Sequence, residues 1–150
     1  MTYRFTTTSV LAAALICISP GVVSAQDQDM AAEMVATRVD SENAVFAEVA
    51  PGVQKAALWG EAETGPYGAF TRFEPGYVNV PHTHTNEIRI VVLEGAYVYT
   101  PEEGAEIRVE AGQYFSLPGG IVHTSGADEE AGALFYESSP GGFDMVPVEE

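Results

Sequence analysis

Residues 80–95 read VPHTHTNEIRIVVLEG and place two histidines, one residue apart, at the head of a long apolar run. In a β-strand, side chains two residues apart project from the same face and lie about 6.5 Å apart along the chain, because each residue rises about 3.3 Å. Zinc–imidazole bonds are about 2.0–2.1 Å long, so two such rings can lean toward one ion. His82 and His84 are therefore either two metal ligands or two polar residues at a strand entrance.

The third histidine lies in a second stretch, GQYFSLPGGIVHTSG, residues 112–126. The apolar segment that ends at Leu117 predicts a strand, the run PGG predicts a turn, and His123 falls just inside the next strand. A third imidazole makes a metal site a much more specific hypothesis than the first pair alone.

These two stretches resemble the two motifs of the cupin superfamily, whose members are small double-stranded β-helix barrels. The first motif is G-x5-H-x-H-x3-E-x6-G and the second is G-x5-P-x-G-x2-H-x3-N. The resemblance covers about residues 69–137 and implies an all-β jelly-roll barrel. The residues that match at the required spacing are Gly76, His82, His84, Gly95, Gly112, Pro118, Gly120 and His123.

The chain departs from the motifs at two positions. Ala127 replaces the asparagine of the second motif, which is of little consequence. Ile88 stands where the first motif has its glutamate, and Glu87 lies one residue early. Because side chains alternate between the faces of a strand, this offset turns a carboxylate away from the site.

Two arrangements of this strand are open. A regular strand points Ile88 and Ile90 into the barrel and Glu87 and Arg89 outward, and we favour it. A bulge near Thr85 would instead turn Glu87 inward, as a fourth ligand or general base. Arg89 would then also face the interior, where it could anchor an anionic substrate.

The resemblance implies that His82, His84 and His123 bind one divalent metal. Three imidazoles with open coordination positions suit Fe, Zn, Ni or Cu, and without the carboxylate manganese is less expected. The resemblance also implies a small-molecule ligand or substrate in the barrel and a homodimer formed through sheet edges, which hides those edges from aggregation.

The rest of the chain after residue 52 has the texture of a single all-β domain, residues 53–150. Short segments rich in Val, Ile, Tyr and Phe alternate with Gly, Pro and acidic turns, and none has helical spacing. Glu94 and Gly95 predict a tight turn between two strands. Trp59 is expected to pack in the core rather than to form a platform for a substrate, and Phe115 and Leu117 are expected to face the core.

The N-terminus predicts export. Residues 1–25 have one basic residue, an apolar stretch too short to span a bilayer, and a small-residue cleavage site after Ala25. Residues 26–52 form a leader that is either partly disordered or a short amphipathic helix. Cys17, the only cysteine, leaves with the signal peptide, so no disulfide or thiolate chemistry is expected. The predicted location is the periplasm or the exterior, with no stable membrane anchor.

The charge of the chain excludes two classes of partner. All 22 acidic residues but only five of the six basic ones follow Ala25, which gives the mature chain a net charge of 5 − 22 = −17. Such a surface repels nucleic acid and anionic membranes.

Two functions remain. The first is a metal-dependent enzyme of the dioxygenase, isomerase or lyase type that acts on a small oxygenated molecule. The second is a non-catalytic cupin that binds or senses a small ligand or the metal itself. Fold alone does not decide between them, because this architecture hosts both.

Overall fold

The computed structural model describes residues 36–148, which form antiparallel β-structure with one short 3₁₀ turn, Ser41–Asn43. The predicted signal peptide and the first part of the leader lie outside the described residues. The strands are β1 (Ala47–Ala50), β2 (Val53–Gly60), β3 (Tyr67–Phe73), β4 (His82–Thr83), β5 (Ile88–Pro101), β6 (Ile107–Glu110), β7 (Tyr114–Leu117), β8 (His123–Ala127), β9 (Ala133–Ser139) and β10 (Val146–Pro147).

The strands form a sheet that curls into two halves joined by β5. The first half has the order β1-β2-β3-β9-β5-β7, and the second has the order β6-β5-β8-β4-β10. Every strand pair is antiparallel. This architecture confirms the all-β, double-stranded β-helix fold expected from the sequence. β1 begins at Ala47, within the segment that the sequence assigned to the leader.

The tight turn predicted at Glu94 and Gly95 was wrong. β5 runs through this point without reversing, and Gly95 has a φ of 65°. Val92 pairs with Phe135 and Glu94 with Leu134, so two consecutive pairs on β5 skip one residue. The extra residue is a β-bulge, which bends a strand and increases its twist. One glycine with positive φ therefore bends β5 from one half of the sheet into the other.

The first half of β5 is a regular strand, as favoured from the sequence. Ile88, Ile90 and Val92 are buried, whereas Arg89 is exposed. Because the alternation starts at Ile88 without a bulge, the neighbouring Glu87 does not point into the barrel. The inward row of β5 is therefore apolar at the position where the cupin motif has a carboxylate.

The predicted burial of side chains agrees with the structure on β7 but not at Trp59 on β2. Leu117 is buried and Phe115 packs against the core, as predicted, whereas Tyr114 is exposed. The prediction for Trp59 was wrong, because this side chain is 49% exposed. Its Nε1 donates a hydrogen bond to Tyr136 Oη at 3.2 Å. No helix among the described residues is long and apolar enough to span a bilayer.

Replacing Gly95 with alanine should destabilise the fold strongly. A Cβ at this position would lie 2.1 Å from the Gly132 carbonyl oxygen, in addition to the strain of its positive φ. We expect a loss of about 2–5 kcal/mol in the free energy of unfolding, measured by urea denaturation.

Gly76→Ala is the matched control, because Gly76 has a φ of 71° but nothing within 4 Å of a Cβ built on it. Only the backbone strain of about 1–2 kcal/mol should then apply. Equal losses in the two variants would contradict the close approach of β5 to Gly132.

Candidate metal centre

Two of the histidines face each other across a strand pair. His82 opens β4 and His123 opens β8, and the two residues are direct partners in the antiparallel register. Directly opposed residues of such a pair project from the same face with their Cβ atoms about 4.5–5.5 Å apart. The pairing of β4 with β8 therefore brings together two rings that lie 41 residues apart in sequence.

The third ring is positioned by the turn that carries PGG. His84 follows directly after β4, and its carbonyl accepts a hydrogen bond from Gly120 N–H at 2.8 Å. A Cβ on Gly119 would lie 2.3 Å from the Thr85 carbonyl oxygen, so only glycine permits this approach. The glycine turn of the second motif thus fixes the backbone of the first.

The three rings form a buried cluster. The centroid of His82 lies 4.3 Å from that of His123 and 4.8 Å from that of His84. His84 and His123 have centroids 5.2 Å apart. One ring nitrogen from each lies within 4.8 Å of those of the others, and all three residues are at most 8% exposed. The structure therefore brings together the three histidines singled out in the sequence, in a group that can hold a metal ion.

Backbone carbonyls set the same tautomer in all three rings. Nδ1 lies 2.8 Å from the Val80 oxygen in His82, 2.5 Å from the Asp144 oxygen in His84, and 2.9 Å from the Ile121 oxygen in His123. A carbonyl oxygen can only accept, so each Nδ1 carries the proton and donates. Each Nε2 is consequently left with a free lone pair, which is the arrangement found in metal-bound histidines.

The positions of the Nε2 atoms fit a metal ion. Those of His82 and His84 are 3.3 Å apart, and two ligands at tetrahedral positions around zinc are also about 3.3 Å apart when each bond is 2.0–2.1 Å. Two lone pairs cannot hydrogen-bond each other. The Nε2 of His123 is buried and has no hydrogen-bond partner among the described residues. A cation shared by the three nitrogens would satisfy all of them.

Burial keeps these rings neutral, which metal binding requires. Desolvation is the largest cause that lowers the pKa of His82 to about 4; the hydrogen bond to Val80 opposes it, and the proximity of His123 and His84 adds to it. Desolvation also lowers the pKa of His84 and of His123. All three imidazoles are therefore available as ligands at neutral pH.

Asp144 and Phe143 also contact and position His84, and the sequence did not single out either residue. Besides the carbonyl that binds His84 Nδ1, the Asp144 carboxylate accepts from Thr85 N–H at 2.8 Å and from Thr85 Oγ1 at 2.5 Å. The Phe143 ring packs on His84 with a centroid distance of 5.3 Å. The segment before β10 thus fixes the orientation of this ring.

Glu87 and Arg89 lie apart from the cluster. Arg89 donates to the Glu87 carboxylate at 2.7 Å, and both side chains are at least 35% exposed. This hydrogen bond lowers the pKa of Glu87. The two residues form a surface ion pair on the outer face of β5, and the structure brings neither of them to the histidines.

A cavity of about 580 Å³ lies beside the histidines and is lined by His82 and His84. Its walls are largely apolar, and they include Ile88, Ile90 and Phe135. Three further polar side chains, which the sequence reasoning did not single out, meet in it: Lys55, Tyr67 and Glu137.

Strand parity was the signal that could have found Glu137. Phe135 is a core residue of β9, and side chains two residues apart share a face, so Glu137 must also point inward. It is 4% exposed. Lys55 follows in the same way from the buried Val53 on β2.

A jelly-roll barrel with inward-facing histidines near one cavity is the architecture of the cupin class. Residues 34–140 match the family model of the ChrR cupin-like domain, and the chain belongs to this family. A search of curated proteins finds no significant match.

Solved structures share the fold at low sequence identity. KdgF from Halomonas sp. aligns with a TM-score of 0.57 and 22% identity over 71% of this chain and 94% of its own. The polyketide cyclase RemF from Streptomyces resistomycificus aligns with a TM-score of 0.64 and 19% identity over 77% of this chain and 87% of its own.

A third similar structure holds a ligand. A point mutant of salicylate 1,2-dioxygenase from Pseudoaminobacter salicylatoxidans, in complex with gentisate, aligns with a TM-score of 0.53 and 20% identity. The alignment covers 63% of this chain and 26% of that one. At these identities the likeness shows the fold.

The metal-free protein should lose stability as the pH falls from about 6.5 toward 4. His82 has a folded pKa of about 4, below the value of about 6.5 expected in the unfolded chain, so the unfolded state takes up the proton first. From this residue we expect a loss of about 1 kcal/mol between pH 7.5 and 5.5, measured by urea denaturation in the presence of a chelator. His82→Gln should show a shallower slope over that range. An identical slope in the two proteins would contradict the lowered pKa.

Proposed function

We propose that the chain binds one divalent metal, Fe, Zn, Ni or Cu, through Nε2 of His82, His84 and His123. The observation that carries this proposal is the common tautomer, in which every Nδ1 donates to a backbone carbonyl and every Nε2 lone pair is left for a shared cation. Glu87 takes no part, because its carboxylate is paired with Arg89 on the outer face.

We further propose that the site is catalytic and acts on a small oxygenated molecule, as a dioxygenase, isomerase or lyase. Three protein nitrogens leave a coordination position open, which distinguishes catalytic from structural metal sites. Two of the three histidines line a cavity large enough for a small molecule. The similarity in fold to a cyclase and to a dioxygenase in complex with gentisate agrees with such a role.

The chain's own residues would prepare the site for this chemistry. A bound metal would supply Lewis acidity toward an oxygen of the substrate. The carbonyl contacts of the three rings hold the nitrogens in place, so little reorganisation is needed when charge develops. The apolar walls, with Ile88, Ile90 and Phe135, exclude water and strengthen electrostatic interactions inside the cavity.

The alternative function is a non-catalytic module that binds or senses a small ligand or the metal. It uses the same histidines and the same cavity, so metal content alone does not separate the two. Turnover or oxygen uptake by metal-loaded protein on a panel of small oxygenated compounds would support the enzyme. Full metal occupancy without turnover on any compound would favour the binding module.

Metal analysis by mass spectrometry tests the site itself. Protein stripped with a chelator and reloaded should retain one metal ion per chain. His123→Ala should lower metal affinity by at least about 100-fold, because it removes a ligand rather than a supporting hydrogen bond.

Glu87→Ala is the matched control, because it removes a carboxylate close in sequence to the ligands but on the outer face. Its metal affinity should equal that of the wild type. A wild-type chain that retains no metal would overturn the proposal, and a loss of affinity in Glu87→Ala would bring this residue back into the site.

We propose in addition that the protein is exported and cleaved after Ala25, on the strength of the signal layout in residues 1–25. Expression of the full chain in a bacterial host, followed by mass measurement of the protein from the periplasmic extract, should give a chain that starts at Gln26. An uncleaved chain in the cytoplasmic fraction would contradict export. The homodimer stays a prediction.

A further inference from the structure

A second polar group lies in the cavity that His82 and His84 line. The Glu137 carboxylate accepts hydrogen bonds at Oε1 from Lys55 Nζ and, at 3.0 Å, from Tyr67 Oη. The Glu137 side chain is 5% exposed and that of Lys55 is 18% exposed. Burial, and then the charge of Glu137, raise the pKa of Tyr67 far above its ordinary value, so its hydroxyl keeps its proton and donates.

This buried ion pair is poorly explained by stability. Desolvating two charges costs several kcal/mol per ion, and well-packed apolar residues of similar volume are often equally good or better. Here the pair lies on a sheet face whose other inward residues are mostly apolar, including Ile90, the direct partner of Glu137 on β5. Because the pair also lines the cavity, its polar atoms are placed where a ligand would contact them.

One aromatic ring separates this network from the histidines. Lys55 Nζ lies 3.7 Å from the centroid of Phe143, and the Tyr67 ring meets the same ring edge-on at 6.3 Å. The Phe143 ring also packs on His84. The charges of Glu137 and Lys55 act on His84 in opposite directions, with Glu137 raising its pKa and Lys55 lowering it. Phe143 therefore lies between two polar groups that line the same cavity.

The two carboxylate oxygens of Glu137 differ in their hydrogen bonds. Within residues 36–148, both hydrogen bonds to this group end on Oε1. Oε2 accepts no hydrogen bond from the described residues, and this oxygen is not fully buried. Since Glu137 lines the cavity, Oε2 is an acceptor open to a ligand.

The electrostatics of the cavity indicate the class of ligand. Lys55 offsets the charge of Glu137, so this network presents little net charge to a ligand in the cavity. An anion would meet the lone pairs of Oε2, whereas an uncharged hydroxyl can donate to them. The apolar walls favour an otherwise apolar molecule.

We propose that Glu137, fixed by Lys55 and Tyr67, is a specificity-determining residue that accepts a hydrogen bond at Oε2 from the hydroxyl of a small, uncharged and otherwise apolar ligand. The inference rests on the proposed function, since it assigns a second polar group in the cavity that His82 and His84 line. At this residue, alcohols are selected over ethers and carboxylates of the same size.

The test uses three probes that share one aromatic ring: benzyl alcohol, benzyl methyl ether and benzoate. Affinity is measured by ligand-observed NMR titration, with metal-free protein for all three probes and with zinc-loaded protein for the alcohol and the ether, since a bound metal would also attract benzoate. A hydrogen bond to a charged acceptor is worth about ten-fold or more in affinity. Metal-free wild-type protein should therefore bind the alcohol at least about ten-fold more tightly than the ether or benzoate, neither of which can donate to Oε2.

E137Q should abolish this preference without emptying the metal site. Lys55 and Tyr67 both donate to Oε1, so the amide oxygen of glutamine must take that place and its NH₂ must take the place of Oε2. The open atom then donates, and the alcohol and the ether offer it equal acceptors. We expect the affinities of E137Q for the alcohol and the ether to agree within about two-fold. Benzoate should bind to E137Q more tightly than to the wild type.

Two further variants keep the test decisive if E137Q does not fold. Tyr67→Phe removes one donor to Oε1 but leaves Oε2 open, so the alcohol should still bind at least about five-fold more tightly than the ether. The double variant Lys55→Met, Glu137→Leu replaces the ion pair with apolar groups and should lose the preference. Thermal unfolding of each variant shows whether it is folded.

The proposal is overturned if metal-free wild-type protein binds the ether as tightly as the alcohol, prefers benzoate, or binds none of the three probes. An alcohol preference that survives in folded E137Q or in the double variant also overturns it. Metal content is read separately by mass spectrometry. A chain that binds no metal but keeps the Glu137-dependent preference in the metal-free titration would therefore overturn the proposed function alone.

Discussion

The strand β5 takes part in both halves of the barrel, and the arrangement of the rest depends on the parity of its side chains. Its first half lies between β9 and β7, and its second half lies between β8 and β6. Since both edges of the strand are paired, a slip by one residue would break two ladders at once and would turn the inward isoleucines to solvent. This constraint keeps Glu87 and Arg89 outside and gives the cavity beside the histidines an apolar wall. It also aligns Ile90 with Glu137, so β5 forms part of the cavity that the Glu137 carboxylate lines.

The orientation of the histidines depends on main-chain carbonyls rather than on other side chains. Val80 and Ile121 each precede the histidine they bind by two residues, so these contacts form as soon as β4 and β8 are in place. His84 differs, because its carbonyl partner belongs to Asp144. Backbone groups cannot be removed by a point substitution, so the tautomers of the three rings are insensitive to most sequence changes around the site. Such changes can alter the packing of Phe143 and the hydrogen bonds that the Asp144 carboxylate accepts from Thr85.

The sequence was sufficient for those parts of the site that local spacing determines. His82, His84 and His123 stand at fixed distances from glycines that the fold needs, and alternation along a strand gave the directions of Ile88 and Leu117. Gly95 was misread because a glycine with positive φ serves a turn and a bulge equally well, and only pairing with β9 separates the two. The burial of Trp59 was predicted wrongly because a large apolar side chain does not indicate which face of β2 the barrel covers. Lys55, Tyr67 and Glu137 come from three different strands, and their contact is a property of register between strands, which one sequence read along its length does not contain.

The contact between His84 and Asp144 also fixes an order of events. The carbonyl that orients the ring belongs to a residue 60 positions later in the chain. During synthesis, His84 is made well before Gly120, Phe143 and Asp144, which position it, and His123 also precedes Asp144. The three nitrogen lone pairs can converge only after nearly the entire barrel has been translated and its last segment has docked. The cluster of three nitrogens is therefore a late product of folding.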